Sequence, residues 1–240
     1  MCPMEGDSCL VPGLTRQTPS TAIPLSHTAV DGLTTAARDA RYRYLAWRVV
    51  KGRGTCARER SEDRRVLEQV IIPFILSRFE PRTVLDIGRE AYETFYNGFF
   101  TGREVWTIDR NPDNAPFGSR NHIVDDVVNL RDHFEERFFD FVLMNGVFGW
   151  GLNEGPAIEQ AFAAIGTVLK PGGIFVLGWN NTPELTPVPL DQVQALRMFR
   201  PFFFEPLNGT SFQCSTYEHI YSFYTPHSEF PVWSSAFRRV

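Results

Sequence analysis

From Thr83 onward, short apolar runs alternate with stretches of helical spacing. The runs are "TVLDIG" (83–88), "EVWTID" (104–109), "NHIVDD" (121–126), "FDFVLMN" (139–145) and "GIFVLGWN" (173–180). Runs this short and this rich in Val, Ile, Leu and Phe, separated by helical stretches, predict a parallel sheet covered by helices on both faces. Each run ends in polar or glycine-bearing residues. In open sheets of this class, ligands bind in the crevice beyond the carboxyl ends of the strands, so five sets of loops are expected to converge there.

The pattern changes at both ends. Residues 189–199, "PLDQVQALRMF", read as a helix leading to apolar runs at 199–207 and 219–226. Two runs so close together predict an antiparallel pair rather than another crossover. Before Thr83, the spacing of Leu33, Ala37, Tyr44, Leu45 and Val49 predicts one helix over 31–50. Ser61, followed by Glu62 and Asp63, predicts the start of a second, which Pro73 should kink. Residues 1–30 are rich in Pro, Ser and Thr and show no apolar periodicity. The expected organisation is therefore an N-terminal arm (1–30), a helical extension or lid (31–80), an α/β domain (81–226) and a C-terminal tail (227–240).

Composition narrows the function classes. The formal net charge of −4 gives no general attraction to nucleic acid. Between Arg38 and Arg65, however, ten basic residues face four acidic ones. That segment reads first as a solvated helical face and second as an RNA-facing surface. Cys2, Cys9, Cys56 and Cys214 form no CxxC pair and have no histidines at ligand spacing, so no metal centre is expected. No apolar run reaches the ~18 residues of a membrane span and no leader pattern opens the chain, so the expected location is the cytoplasm.

The ordered set "VLDIG", "VWTIDRNP", "VDDVVNL", "FDFVLMNGVFGW" and "VLKPGGIFVLGWN" resembles the motif series of the class I S-adenosylmethionine-dependent methyltransferases, over roughly residues 60–226. The resemblance implies a Rossmann-like α/β fold: a mostly parallel seven-stranded sheet with an antiparallel last strand, here with an N-terminal helical extension. It implies S-adenosyl-L-methionine as cofactor. Asp86 and Gly88 match the acid and first glycine of the cofactor turn, Asp109 the carboxylate that takes the ribose hydroxyls, and Asp126 the acid at the adenine amino group, with Asp125 as the competing register. Asn145 and Gly146 follow the fourth strand, where such proteins present groups to cofactor and acceptor. An acid suits the ribose position on independent grounds, because a carboxylate only accepts and a vicinal diol offers two donors.

The cofactor turn departs from the pattern: where further glycines are expected the chain has Arg89, Glu90, Ala91 and Tyr92. A carboxylate at Glu90 would repel the cofactor's own carboxylate, and Arg89 is expected either to pair with that carboxylate or to neutralise Glu90. The start of an antiparallel last strand lies on the ligand side, which makes His219 the candidate general base. Trp150, Trp179 and Asn180 follow the fourth and fifth strands and are candidates for the acceptor site. The leading expectation is methylation of oxygen or nitrogen on a small-molecule metabolite. Two alternatives stay open: a protein of this fold whose degenerate loop serves another reaction or a binding partner, and an RNA methyltransferase guided by the arginine-rich segment. Oligomeric state leaves no signal in the sequence.

Overall fold

In the computed structural model, residues 61–215 and 218–227 are described. The expected arm, the helix over 31–50, most of the arginine-rich segment and all of the tail after His227 lie outside them. Eight strands form one sheet: β1 (Thr83–Ile87), β2 (Glu104–Asp109), β3 (Asn121–Val124), β4 (Phe139–Asn145), β5 (Leu169–Asn180), β6 (Phe199–Pro201), β7 (Ser211–Gln213) and β8 (His219–Pro226). The order is β3-β2-β1-β4-β5-β8-β6, parallel through β5, with β8 antiparallel to it. β6 pairs residues 224–226 of β8 and β7 pairs residues 220–222, so the two short strands share one edge and the sheet is seven lanes wide.

Strand period decides which side chains meet which helix layer. Leu85, Ile87, Met144, Phe175 and Leu177 face α5 (Gly155–Val168), which buries Ile158, Ala161, Phe162 and Ile165 against them. Val84, Leu143, Val176 and Phe223 face the other way, onto α1 (Glu62–Val66) and α2 (Ile72–Arg78). Asp86, Asn145 and His219 share the parity of this second set, and Trp179 that of the first.

Between α1 and α2, residues Leu67–Ile71 adopt a π-helical turn. Pro73 has no N–H for the carbonyl of Gln69, and the wider turn just before it absorbs the mismatch without a break. Leu67, Ile71, Ile72, Ile75 and Leu76 stay fully buried through the irregularity. Ser61 makes no side-chain cap, so Glu62 and Asp63 are left to complement the positive end of the helix.

Two expectations for the last third are corrected. Residues 189–199 form two 3-10 turns, Leu190–Gln192 and Gln194–Met198, instead of an α-helix. The Glu159 carboxylate of α5 accepts from the backbone N–H groups of Gln194 and Ala195, both at 2.7 Å, and pins the chain there. The run 199–207 is a strand only to Pro201; beyond it Phe204 turns inward and stacks on Phe223, centroids 4.4 Å apart. "KPGG" lies inside the span of β5, but its residues loop out: Phe139 pairs Leu169 while Phe141, two residues on, already pairs Ile174.

Leu143 sits at 0% exposure in the central strand under α1 and α2. Leu143→Ala is expected to destabilise the fold by ~2–5 kcal/mol, measured by urea denaturation.

Candidate functional site

A cleft of about 830 Å³ opens at the carboxyl ends of the parallel strands. Its walls run from Asp109, Asp125 and Asp126 after β2 and β3, past Gly88 and Gly146 after β1 and β4, to Trp150, Asn180 and His219 beside β5 and β8. At ~4.8 Å per lane, the Asp109 lane and the His219 lane lie about 19 Å apart.

Gly88 ends β1 with φ +78°, a left-handed conformation, and a Cβ there would overlap Val147. That turn sends the next side chain beneath the strand. Arg89, 1% exposed, donates from Nε and Nη2 to Asp86 Oδ2 at 2.9 and 2.5 Å, and from Nη1 to Asn97 Oδ1 at 2.5 Å. This corrects two expectations: neither Asp86 nor Arg89 lines the cleft, and Arg89 neutralises Asp86 rather than Glu90 or a ligand. The physical reason is that Asp86 is itself buried, at 4% exposure, and an unpaired buried carboxylate is too costly to leave. Glu90, in contrast, faces the cleft, where it joins a capping box with Glu93 around the 3-10 turn Ala91–Glu93.

Asp109 is half-buried at the end of β2. It takes the backbone N–H of Asn111 at 2.8 Å and the Asn114 amide at 3.1 Å, one on each oxygen. A carboxylate has about four acceptor positions, so capacity remains toward the cleft. The two candidates after β3 now differ. Asp125 is committed to His133 (2.7 Å), Asn129 (2.7 Å) and its neighbour's N–H, and these bonds, the one from Asn129 first, hold its carboxyl below the usual range. Asp126 uses only Oδ1, to cap the 3-10 turn Val127–Asn129.

Asn145 and Gly146 both line the cleft, Gly146 at φ +69°. Trp150 is 62% exposed and donates from Nε1 to Asn180 Oδ1 at 3.3 Å. Trp179 is the third correction. By parity it points to the α5 side, where it packs on Phe148 and donates to Ser222 Oγ at 3.2 Å, away from the cleft. His219 is 5% exposed, with Nδ1 3.3 Å from Asn180 Oδ1. Its pKa is pushed from 6.5 to about 4 by burial; the Asp63 charge opposes this and the Arg64 charge adds to it.

Sequence reasoning missed Asp63 and Arg64, which reach the cleft from the first turn of α1. Arg64 is held by Glu93, by Tyr92 Oη at 2.7 Å and by Tyr96 Oη at 3.3 Å. The available signal was the cluster of charge just after Ser61, at the cleft-facing end of a helix expected to flank the domain.

Residues 87–177 match the sequence profile of a family described as "Methyltransferase domain". Over that stretch, less than half of the chain, the sequence is similar to methyltransferase domains. A search of curated proteins gives no match. Among solved structures, the domain's fold is similar to that of the N-methyltransferase NodS from Bradyrhizobium japonicum WM9 in complex with S-adenosyl-L-homocysteine. The TM-score is 0.53 at 15% identity, covering 78% of this chain and 98% of that one. A TehB-like S-adenosylmethionine-dependent methyltransferase from Corynebacterium glutamicum ATCC 13032 Kitasato aligns at TM-score 0.49 and 17% identity, covering 81% of this chain and 100% of the other. At 15% identity the likeness to NodS is one of fold. Among the described residues, no helix is long and apolar enough to cross a membrane.

Two measurements follow from the site. Arg89→Met leaves Asp86 buried and uncompensated and should destabilise the protein by ~3–5 kcal/mol, whereas adding Asp86→Asn should restore much of the loss; a double-mutant cycle in denaturant reads both. In a histidine 15N NMR titration His219 should stay neutral down to a midpoint near 4. Because its folded pKa is depressed, its contribution to stability is complete above pH 6.5 and is lost as pH falls toward 4.

Proposed function

We propose that this methyltransferase binds S-adenosyl-L-methionine along the β1–β2–β3 side of the cleft and methylates oxygen or nitrogen of a small molecule held on the β4–β5–β8 side. The observation that carries the reading is the order of groups along one continuous wall: acceptor-only carboxylates at Asp109 and Asp126, backbone opened by glycine at Gly88 and Gly146, then a neutral imidazole at His219. The cleft volume of about 830 Å³ lies in the ~300–1,000 Å³ range of ligand sites and leaves room for more than one molecule.

The residues present fit the cofactor at most of these positions. Asp109 would take the ribose hydroxyls and Asp126 the adenine amino group, each with acceptor capacity still turned to the cleft. Gly88 lets backbone approach where a Cβ would crowd Val147. Asp86 does not fit the role the resemblance assigns it, because Arg89 takes its carboxylate. The same-fold NodS structure with S-adenosyl-L-homocysteine is in keeping with the reading.

When bound, the cofactor supplies an electrophilic methyl group on a sulfonium, which is already a good leaving group. What the chain must add is alignment and exclusion of water. The buried β8 end of the cleft supplies the second, and His219, neutral at physiological pH, can accept a hydrogen bond from an acceptor group that carries a proton.

Calorimetric titration with S-adenosyl-L-methionine tests the proposal: binding in the micromolar range is expected, and no binding at millimolar concentration would refute it. Asp109→Ala should weaken binding at least tenfold, since it removes hydrogen bonds to a charged acceptor worth ~1.5–3 kcal/mol each.

A further inference from the structure

At the β8 end of the cleft three polar atoms are buried without a hydrogen-bond partner: Asn145 Oδ1, His219 Nε2 and Asp63 Oδ1. Asn145 and His219 are 8% and 5% exposed, and all three residues line the cleft. The first two atoms sit together over Gly178. A Cβ on that glycine would overlap Asn145 Oδ1 and come within 3.0 Å of His219 Nε2, so only glycine lets the two side chains close in over this point of β5. Asp63 comes from the facing turn of α1, near enough for its charge to act on His219.

The hydrogen-bond role of His219 Nε2 follows from the neighbours of the ring. Trp150 Nε1 can only donate, so the Asn180 atom it meets is the amide oxygen. That oxygen also faces His219 Nδ1, which must then carry the imidazole proton. Nε2 is left as an acceptor, as are an amide oxygen and a carboxylate oxygen. Arg64 is tied to Glu93 and to the hydroxyls of Tyr92 and Tyr96, and its Nε stands 3.7 Å from Asp63 Oδ2, which leaves Asp63 Oδ1 without a hydrogen-bond donor.

Three buried acceptors with no donor among them call for a ligand group that is rich in N–H. We propose that this corner is the acceptor subsite of the methyltransferase and that it selects an amine: the three N–H bonds of a primary ammonium match the three acceptors, and a hydroxyl would leave two of them unpaired. The inference rests on the proposed function and narrows its oxygen-or-nitrogen acceptor to nitrogen. The ammonium gives one proton to water before reaction, which frees its lone pair. The nitrogen then forms the N–CH3 bond as the S–CH3 bond breaks, and the bonding pair stays on sulfur. The product nitrogen carries the positive charge the sulfonium loses and releases one N–H proton to water, while His219 Nε2 accepts a hydrogen bond from it.

The test pairs structure with turnover. In histidine-15N-labelled protein, Nε2 of His219 should be the unprotonated nitrogen; a proton on Nε2 would overturn the proposal. Transfer of tritiated methyl from S-adenosyl-L-methionine is then measured onto matched skeletons: benzylamine against benzyl alcohol, butylamine against butanol, aniline against phenol. Amines should exceed their hydroxyl counterparts at least tenfold in kcat/KM, and Asp63→Asn should raise the amine KM at least tenfold while the Kd for S-adenosyl-L-homocysteine stays within about twofold. Cofactor binding with transfer to hydroxyls, or with no transfer to either series, overturns the amine assignment. If Asp63→Asn weakens S-adenosyl-L-homocysteine but not 5′-methylthioadenosine, which lacks the amino-acid part, the three acceptors hold the cofactor's own amino group and the inference fails while the proposed function stands. Failure of S-adenosyl-L-methionine to bind at all removes both.

Discussion

The buried pair between Asp86 and Arg89 is the contact on which the β1 side of this cleft depends. A carboxylate on the central strand, facing a helix layer, needs either a ligand or an internal cation. Gly88 can take a positive φ, so the chain turns sharply enough for the very next side chain to fold back under the strand and provide that cation. The remaining guanidinium bond goes to Asn97, whose own amide donates to the carbonyl of Gly118. One ion pair thus ties the end of β1 to α3 (Tyr96–Phe99) and to the loop after β2. The turn is held by charge from within, where a glycine-rich turn would leave the acid free for a ligand.

That substitution explains why Glu90 is tolerable. Its carboxylate is occupied with capping its own turn, and the positive charge near it comes from Arg64 of α1 through Glu93 and Tyr92, not from Arg89. α1 is therefore part of the cleft wall as well as a cover for the sheet. Residues that begin a flanking helix, Asp63 and Arg64, do work that a reading centred on strand ends would assign to the loops alone.

The sheet was legible because its signal is redundant. Five apolar runs of the right length, each closed by polar residues, can hardly be arranged otherwise, and their polar ends, among them Asp109, fall on the cleft side. Legibility failed where a single residue step decides the outcome. Trp179 and Asn180 are neighbours at the end of β5, yet strand period sends one into the α5 layer and the other to the cleft. Arg89 and Glu90 are likewise adjacent, and only the hand of the Gly88 turn determines which is buried. The two 3-10 turns over 190–198 were hidden for another reason: their conformation is set by Glu159, more than thirty residues away in sequence.

The two ends of the cleft differ in how completely their polar groups are satisfied, and that difference carries chemical meaning. At the β2–β3 end the carboxylates are partly solvated and partly bonded, a state that costs little with or without a ligand. At the β8 end Asn145, His219 and Asp63 each keep one atom buried and unpaired, a state that costs about 1–3 kcal/mol per atom unless something fills it. A fold does not keep three such atoms in one corner for packing, because apolar residues of similar size would pack there without that loss. Gly178 permits the arrangement: any larger residue would collide with Asn145 Oδ1 and press on His219 Nε2, and the chain has glycine there. The instability of this corner is therefore best understood as affinity held in reserve, released only to a group that brings hydrogen-bond donors of its own.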